Sequence, residues 1–157
     1  LERYHDLVAP EHSGCPVRAV VLCPPGSNIV CYAFRPHERA TLAEANDLNR
    51  RIHQRFSMRH GTRVHNLPFF ISKTTLTLSR YSSQTVSNML HRLGGTESDY
   101  QEHGIVLLRS VLMNPWYTIS KGRGRYFLSE LVEALYHAAE ETSMDSRHEG
   151  PVSTMVP

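Results

Sequence analysis

Lysine is nearly absent from this sequence of 157 residues, which contains only Lys73 and Lys121 beside 15 arginines. Arginine binds carboxylates and phosphates well, but it forms no Schiff base because its guanidinium stays protonated in proteins. Lysine-based covalent chemistry therefore has only two candidate residues. The formal net charge of +2 is too small to indicate a nucleic-acid partner by itself.

Long apolar runs and paired cysteines are also missing. No stretch approaches the ~18 consecutive apolar residues of a transmembrane helix, and the N-terminus lacks the layout of a signal peptide. Cys15, Cys23 and Cys31 form no CxxC pair, and we interpret them as reduced, partly buried thiols, with zinc binding as the alternative. We therefore expect a cytoplasmic protein with no membrane partner.

The sequence lacks the short motifs of several common sites. Its ten histidines include no pair with HxxxH or HExxH spacing. There is no phosphate-binding GxxxxGKS/T or GxGxxG and no GxSxG serine nucleophile elbow. We predict no metal site, no cofactor-binding residue and no catalytic nucleophile in this chain.

Hydrophobic periodicity predicts an α+β fold. Segments 28–35 and 105–113 are typical of strands, and shorter strand-like segments lie at 17–22, 69–72 and 76–78. Apolar residues recur every three or four positions in three other segments, which predicts helices through 42–56, through 86–93 and from residue 127. We expect a small, mostly antiparallel sheet with helices on one face.

Two side-chain patterns refine this prediction. Thr41 followed by Glu44 fits a capping box at the start of the first long helix. Arg109 is a charge within the apolar segment 105–113, most of which we expect to be covered on both faces. Because an unpaired buried guanidinium is costly, Arg109 needs an anionic partner. That partner is either a structural carboxylate or the carboxylate of a substrate held by a bidentate fork.

Three stretches, in this order, resemble the C-terminal part of the pyridoxal-phosphate-dependent (group II) amino-acid decarboxylases. The first is NIVCYAFRP at 28–36, followed by a helix with LNRRI at 48–52. The second is FFISKTTL at 69–76, and the third is LLRSVLMNP at 107–115 with Thr118. The resemblance implies the fold of the C-terminal small domain of fold-type I pyridoxal-phosphate enzymes.

The resemblance also implies a function. The dipeptide Asn114-Pro115 is similar to the sequence at this position in the glutamate and aspartate branch of the family. The implied activity is therefore decarboxylation of an acidic amino acid. Arg109 matches the family's arginine that receives the substrate carboxylate. The family's cofactor-binding lysine lies in a Ser-x-His-Lys-type motif of the large domain, whereas Lys73 and Lys121 each follow a serine directly. We therefore expect pyridoxal 5'-phosphate to be bound by a large domain and this chain to be inactive alone.

The expected organisation follows from the same resemblance. Residues 1–26 are expected to form an irregular linker with a candidate short strand, 27–142 the small domain, and 143–157 a disordered tail. We expect the chain to be a fragment, a processed product or a separate subunit that docks on the large cofactor-binding domain. The complete enzyme is expected to be a homodimer.

Two other functions stay open at this point. One is a non-catalytic interaction or ligand-binding module derived from the same domain. The other is an RNA-binding α+β domain, which Arg50, Arg51 and Arg55 on one predicted helix suggest. The strands lack the aromatic pattern that stacks on bases, so we predict no nucleic-acid partner.

Overall fold

The computed structural model describes residues 17–24, 26–57, 69–112, 124 and 126–148. These residues form four strands and four helices, in the order ββαβααβα. The elements are β1 (Arg18–Val21), β2 (Ile29–Arg35), α1 (Leu42–Arg55), β3 (Ser72–Leu76), α2 (Ser83–Arg92), α3 (Glu97–His103), β4 (Ile105–Val111) and α4 (Phe127–His148).

The four described strands form one antiparallel sheet in the order β1-β2-β4-β3. β4 is central, and its residues from Ile105 to Leu108 are all buried. β3 lies at an edge and exposes Ser72, Lys73 and Thr75. The predicted α+β class with an antiparallel sheet is confirmed.

Both faces of the sheet carry a buried apolar cluster. Neighbouring strand residues point to opposite faces, and Tyr32 and Leu108 lie in one cluster while Ala33 and Leu107 lie in the other. The first cluster includes Leu135 of α4, and the second includes residues of α2 and α3. Helices therefore pack on both faces of the sheet, whereas we expected them on one face. This arrangement agrees with the prediction that most of β4 is covered on both faces.

Some boundaries differ from those expected. β3 centres on Thr74, between the two predicted segments, because the β-branched Thr74 and Thr75 pair with β4. α3 is not predicted, since its seven residues include a single buried side chain, that of Tyr100. α4 continues to His148 and so overlaps the segment 143–157 that is predicted to be a tail.

Buried asparagines of α1 separate the two central strands. β2 and β4 pair as far as Tyr32 and Leu108, and the next hydrogen-bonded pair of a continued ladder would be Phe34 and Val106. Instead, Oδ1 of Asn49 accepts from the Phe34 N–H at 2.8 Å, and its Nδ2 donates to the Phe34 carbonyl at 2.9 Å. One side-chain amide thus replaces both hydrogen bonds that a paired strand would supply.

Asn46 plays the same part on β4. Its Oδ1 accepts from the Val106 N–H at 2.8 Å, and its Nδ2 donates to the Gly104 carbonyl at 2.9 Å. Asn46 and Asn49 lie three positions apart and therefore on one side of α1. Both are buried, so α1 enters the gap between β2 and β4 and satisfies backbone groups that would otherwise be buried without partners.

The predicted capping box is confirmed at the start of α1. The Glu44 N–H donates to Oγ1 of Thr41 at 3.3 Å, and Oε2 of Glu44 accepts from the Thr41 N–H at 2.7 Å. The backbone hydrogen bond from Thr41 is the main cause that holds the pKa of Glu44 below its usual value. The carboxylate also lies in the first turn of α1, where the helix dipole favours a negative charge.

Replacing Asn49 by Ala should destabilise the fold strongly. The Phe34 N–H and carbonyl would lose their partners in a buried position, which costs about 2–4 kcal/mol in the free energy of unfolding. Urea denaturation measures this value. The matched control is Asn88→Ala on the exposed side of α2, for which we expect a change within about 0.5 kcal/mol. Equal losses for the two variants would contradict the role of Asn49.

Replacing Glu44 by Gln should have an effect that depends on pH. Because the pKa of Glu44 is lower in the folded than in the unfolded chain, its charge stabilises the fold above the unfolded pKa, and this contribution is lost as the pH falls through the folded pKa. We expect the variant to be less stable by a few tenths of a kcal/mol, at most about 1, at neutral pH. The difference should vanish in acid. Thermal denaturation between about pH 7 and pH 3 tests this, and a difference that is independent of pH would contradict it.

Candidate substrate-binding site

Arg109 lies in the centre of the sheet, between two neighbouring strands. Its Cα partners are Cys31 of β2 and Ser72 of β3. Alternation along β4 places its side chain on the same face as Ile105 and Leu107, the face that α2 and α3 cover in part. The Arg109 side chain is half-buried.

The guanidinium of Arg109 has no ion pair and no side-chain hydrogen bond within the part of the chain that the structure describes. Apart from the β ladder, Oγ of Ser72 donates to the main-chain carbonyl of Arg109, at 3.5 Å. Half-burial explains how the charge is tolerated, because part of the guanidinium keeps its contact with water. Its donors therefore stay open to an external carboxylate.

The surroundings of Arg109 form an open strip on this face, defined by Ile29, Cys31, Ser72, Arg109 and Val111. The cover by α2 and α3 ends within the strip: Cys31 still packs against their buried cluster, whereas Val111 is 45% exposed. Ile29 and Cys31 are half-buried, and Ser72 is exposed. The strip thus combines one cation with apolar or small neighbours and contains no carboxylate.

The lysine that the structure describes lies elsewhere. Lys73 is exposed on the edge strand, and its register partner Leu108 belongs to the opposite face from Arg109. Burial, and then the nearby charge of Lys73, lower the pKa of His53 on α1. Lys73 and Arg109 are therefore not brought together. Lys121 lies outside the described residues.

Other residues of the resemblance also fall outside this part of the chain. Asn114, Pro115 and Thr118 are not among the described residues.

The cysteines that the structure describes are not in disulfides. Cys31 is half-buried and Cys23 is exposed, whereas Cys15 lies outside the described residues. Within the described segments, no three His, Cys, Asp or Glu side chains are grouped so that they could hold a metal ion.

A buried hydroxyl pair lies on the face opposite to Arg109, and sequence reasoning missed it. The Tyr32 hydroxyl and Oγ of Ser110 are 2.8 Å apart. Burial is the main cause that raises the pKa of Tyr32 far above its usual value, so this phenol stays neutral. The pair joins β2 to β4 and has a structural part, because both residues are buried.

The amino-acid sequence of the chain matches a known protein family. Residues 11–138 match the family described as tyrosine decarboxylase, C-terminal. The chain belongs to this family. No curated protein matches the sequence.

Membership of the tyrosine decarboxylase C-terminal family confirms the resemblance to a decarboxylase C-terminal part. By its description the family is one part of a larger enzyme, which implies a partner domain. The match does not extend to the glutamate and aspartate branch, which stays a prediction. No described helix has the length and apolar character needed to cross a membrane.

The family implies pyridoxal phosphate, but the described residues do not fit a site for it. A covalent site needs a lysine that faces the substrate. Lys73 instead lies on an exposed edge strand, on the face opposite to Arg109. The open strip also offers no second cation for the phosphate beside Arg109. We therefore assign no step that passes through the cofactor to these residues.

Replacing Arg109 by Leu should change the stability of this chain little. Since Arg109 has no partner among the described residues, its removal leaves no buried carboxylate behind, and we expect a change within about 1 kcal/mol. A structural ion pair would instead cost about 3–5 kcal/mol when one partner is removed. Urea denaturation of the two proteins distinguishes the cases, and a loss in the higher range would show that Arg109 is a structural residue.

Proposed function

We propose that this chain is the C-terminal domain of a pyridoxal-phosphate-dependent amino-acid decarboxylase, in which Arg109 binds a carboxylate of the substrate. The observation that carries the proposal is a half-buried guanidinium without a carboxylate partner among the described residues, on an open strip of the central strand. Family membership supports the reaction class. Pyridoxal phosphate, held by the large domain, would supply the electron sink for decarboxylation.

The chemistry of Arg109 suits this role. A guanidinium presents two parallel N–H groups to a carboxylate, which fixes the position and the plane of the bound group. Since Arg109 lies on the central strand with a paired neighbour on each side, its backbone is rigid. The half-buried neighbours Ile29 and Cys31 reduce the access of water and so strengthen the ionic contact.

Two substrate classes follow from different observations. The Asn114-Pro115 form favours an acidic amino acid such as glutamate or aspartate. The family match favours tyrosine, the amino acid in the description of the matched family. The apolar neighbours Ile29 and Val111 suit an aromatic side chain better than a second carboxylate, because no further cation lies on the strip. We therefore place tyrosine first and an acidic amino acid second.

The remaining expectations concern the complete enzyme. We infer that the open strip faces the large domain, which would close the cleft over the substrate. A homodimer and a cytoplasmic location remain predictions of the resemblance. The non-catalytic module stays the alternative if the chain functions without a large domain.

Replacing Arg109 by Leu in the enzyme that contains the large domain should lower kcat/KM by about 100-fold or more, because a charge-assisted, bidentate contact with the substrate is lost. Arg109→Lys should recover only part of the activity, since an ammonium group cannot form the planar fork. Carbon dioxide release from tyrosine, glutamate and aspartate measures both the effect and the substrate class.

The matched control is Lys73→Gln, which removes a positive charge from the opposite face. We expect its kcat/KM to stay within about twofold of the unchanged enzyme. The chain alone, mixed with pyridoxal phosphate, should release no carbon dioxide. Full activity of Arg109→Leu would refute the role of Arg109, and activity of the chain alone would refute the need for a large domain.

A further inference from the structure

An apolar patch lies beside Arg109, at the end of the open strip. It consists of Ile29 of β2, Val111 of β4 and Phe70, which precedes the start of β3 by two residues. Phe70 is 48% exposed, Val111 is 45% exposed and Ile29 is half-buried. We propose that Phe70 and Val111 hold the side chain of the substrate and so select an aromatic amino acid. This role rests on the proposed function, in which Arg109 binds the substrate carboxylate.

Phe70 points to the same face of the sheet as Arg109. Ser72 is the register partner of Arg109, and side chains two positions apart on an extended chain share a face. The residues on either side of Phe70 support this direction, because Phe69 and Ile71 both pack into the buried cluster of the opposite face. Phe70 therefore turns away from that cluster and towards the open strip.

The strand register brings Phe70 next to Val111. The ladder between β3 and β4 reaches Arg109, and its continuation by two residues places Phe70 opposite Val111. Val111 is in turn paired with Ile29 of β2. Neighbouring strands are about 4.8 Å apart, so these three side chains form a continuous apolar row across the sheet.

The exposure of this row indicates a contact with another molecule. Single exposed apolar side chains are normal on a protein surface, whereas neighbouring ones mark binding sites and grooves. Phe70 and Val111 are both exposed and lie side by side. An apolar group that packed on them would remove this surface from water, which the hydrophobic effect favours.

The spacing between the cation and the patch suits an aromatic amino acid. Arg109 and Val111 are two residues apart on β4, which corresponds to about 6.8 Å along the strand. In tyrosine, only Cα and Cβ separate the carboxylate from the ring. A carboxylate held by Arg109 therefore leaves the ring within reach of the patch.

The patch disfavours a substrate with a second carboxylate. The side chains of Ile29, Phe70 and Val111 carry no hydrogen-bond donor. A carboxylate that packed on them would lose water without gaining a partner, which is costly. The fork of Arg109 serves one carboxylate at a time, whereas glutamate and aspartate each bring two. The patch therefore discriminates against acidic amino acids.

Phe70 contributes more than apolar area. Its ring can pack edge-to-face or offset against the ring of the substrate, an arrangement that aromatic pairs prefer. Val111 and Ile29 are aliphatic and provide only shape and area. Phe70 is therefore the residue of the patch that distinguishes an aromatic side chain from an aliphatic one of similar size.

The test uses the enzyme that contains the large domain and compares kcat/KM for tyrosine with kcat/KM for glutamate. Phe70→Ala and Val111→Ala should each lower the value for tyrosine about tenfold or more, because an apolar contact with the substrate is lost. The value for glutamate should change by no more than about twofold. Phe70→Leu should recover part of the tyrosine activity, since it keeps apolar area without the ring.

A gain of function completes the test. Val111→Arg would place a second cation beside Arg109, where it could bind the second carboxylate of glutamate. We expect the ratio of kcat/KM for glutamate to that for tyrosine to rise about tenfold or more.

The matched control is Leu78→Ala. It removes an apolar side chain that is 41% exposed in the turn after β3, at the opposite end of this strand from Phe70. Both kcat/KM values should stay within about twofold of the unchanged enzyme. Melting temperatures and size-exclusion chromatography show that each variant is folded and assembled.

Three results would overturn the role of Phe70 and Val111. These are unchanged tyrosine activity in Phe70→Ala, an equal loss with both substrates, and a preference of the unchanged enzyme for glutamate. An equal loss would identify the patch as a contact with the large domain instead. Each of these results leaves the proposed function intact as long as Arg109→Leu abolishes activity, whereas full activity of Arg109→Leu refutes the proposed function itself.

Discussion

The insertion of two side-chain amides between the central strands is the interaction on which the rest of the structure depends. Asn46 and Asn49 take the place of the ladder where β2 and β4 would otherwise pair. A hydrogen-bonded amide in a buried position is stable only if all its partners are present, so the helix, both strands and Gly104 have to be in place together. This requirement couples α1 to the sheet far more specifically than apolar contact does.

The insertion also divides the sheet into two ends. At the separated end, α1, α2 and α3 cover the strands. At the paired end, β2 and β4 stay in register and leave Arg109 beside Cys31 on an open strip. A guanidinium can remain unpaired there because it keeps part of its contact with water. The same division therefore leaves Arg109 half-buried at the paired end of the sheet.

Local patterns account for what could be predicted from the sequence. The apolar run of β4 and the capping box of Thr41 and Glu44 depend on neighbouring residues, so each was readable without the fold. The partners of Asn46 lie 58 and 60 positions away, and no local pattern indicates them. The charge of Arg109 was evident, but its half-burial depends on where the cover by α2 and α3 ends.

The positions of the arginines and of Lys73 explain what a chain with so few lysines can do chemically. Arginine can hold a carbonyl, a carboxylate or a phosphate without losing its charge. Arg35 donates to main-chain carbonyls, and the proposed function gives Arg109 a carboxylate. Lysine would add the ability to form a covalent link with a carbonyl compound. In the described residues that ability belongs to Lys73, which faces away from Arg109. Under the proposed function, Arg109 would position the substrate, and a lysine of the large domain would supply the covalent link to the cofactor.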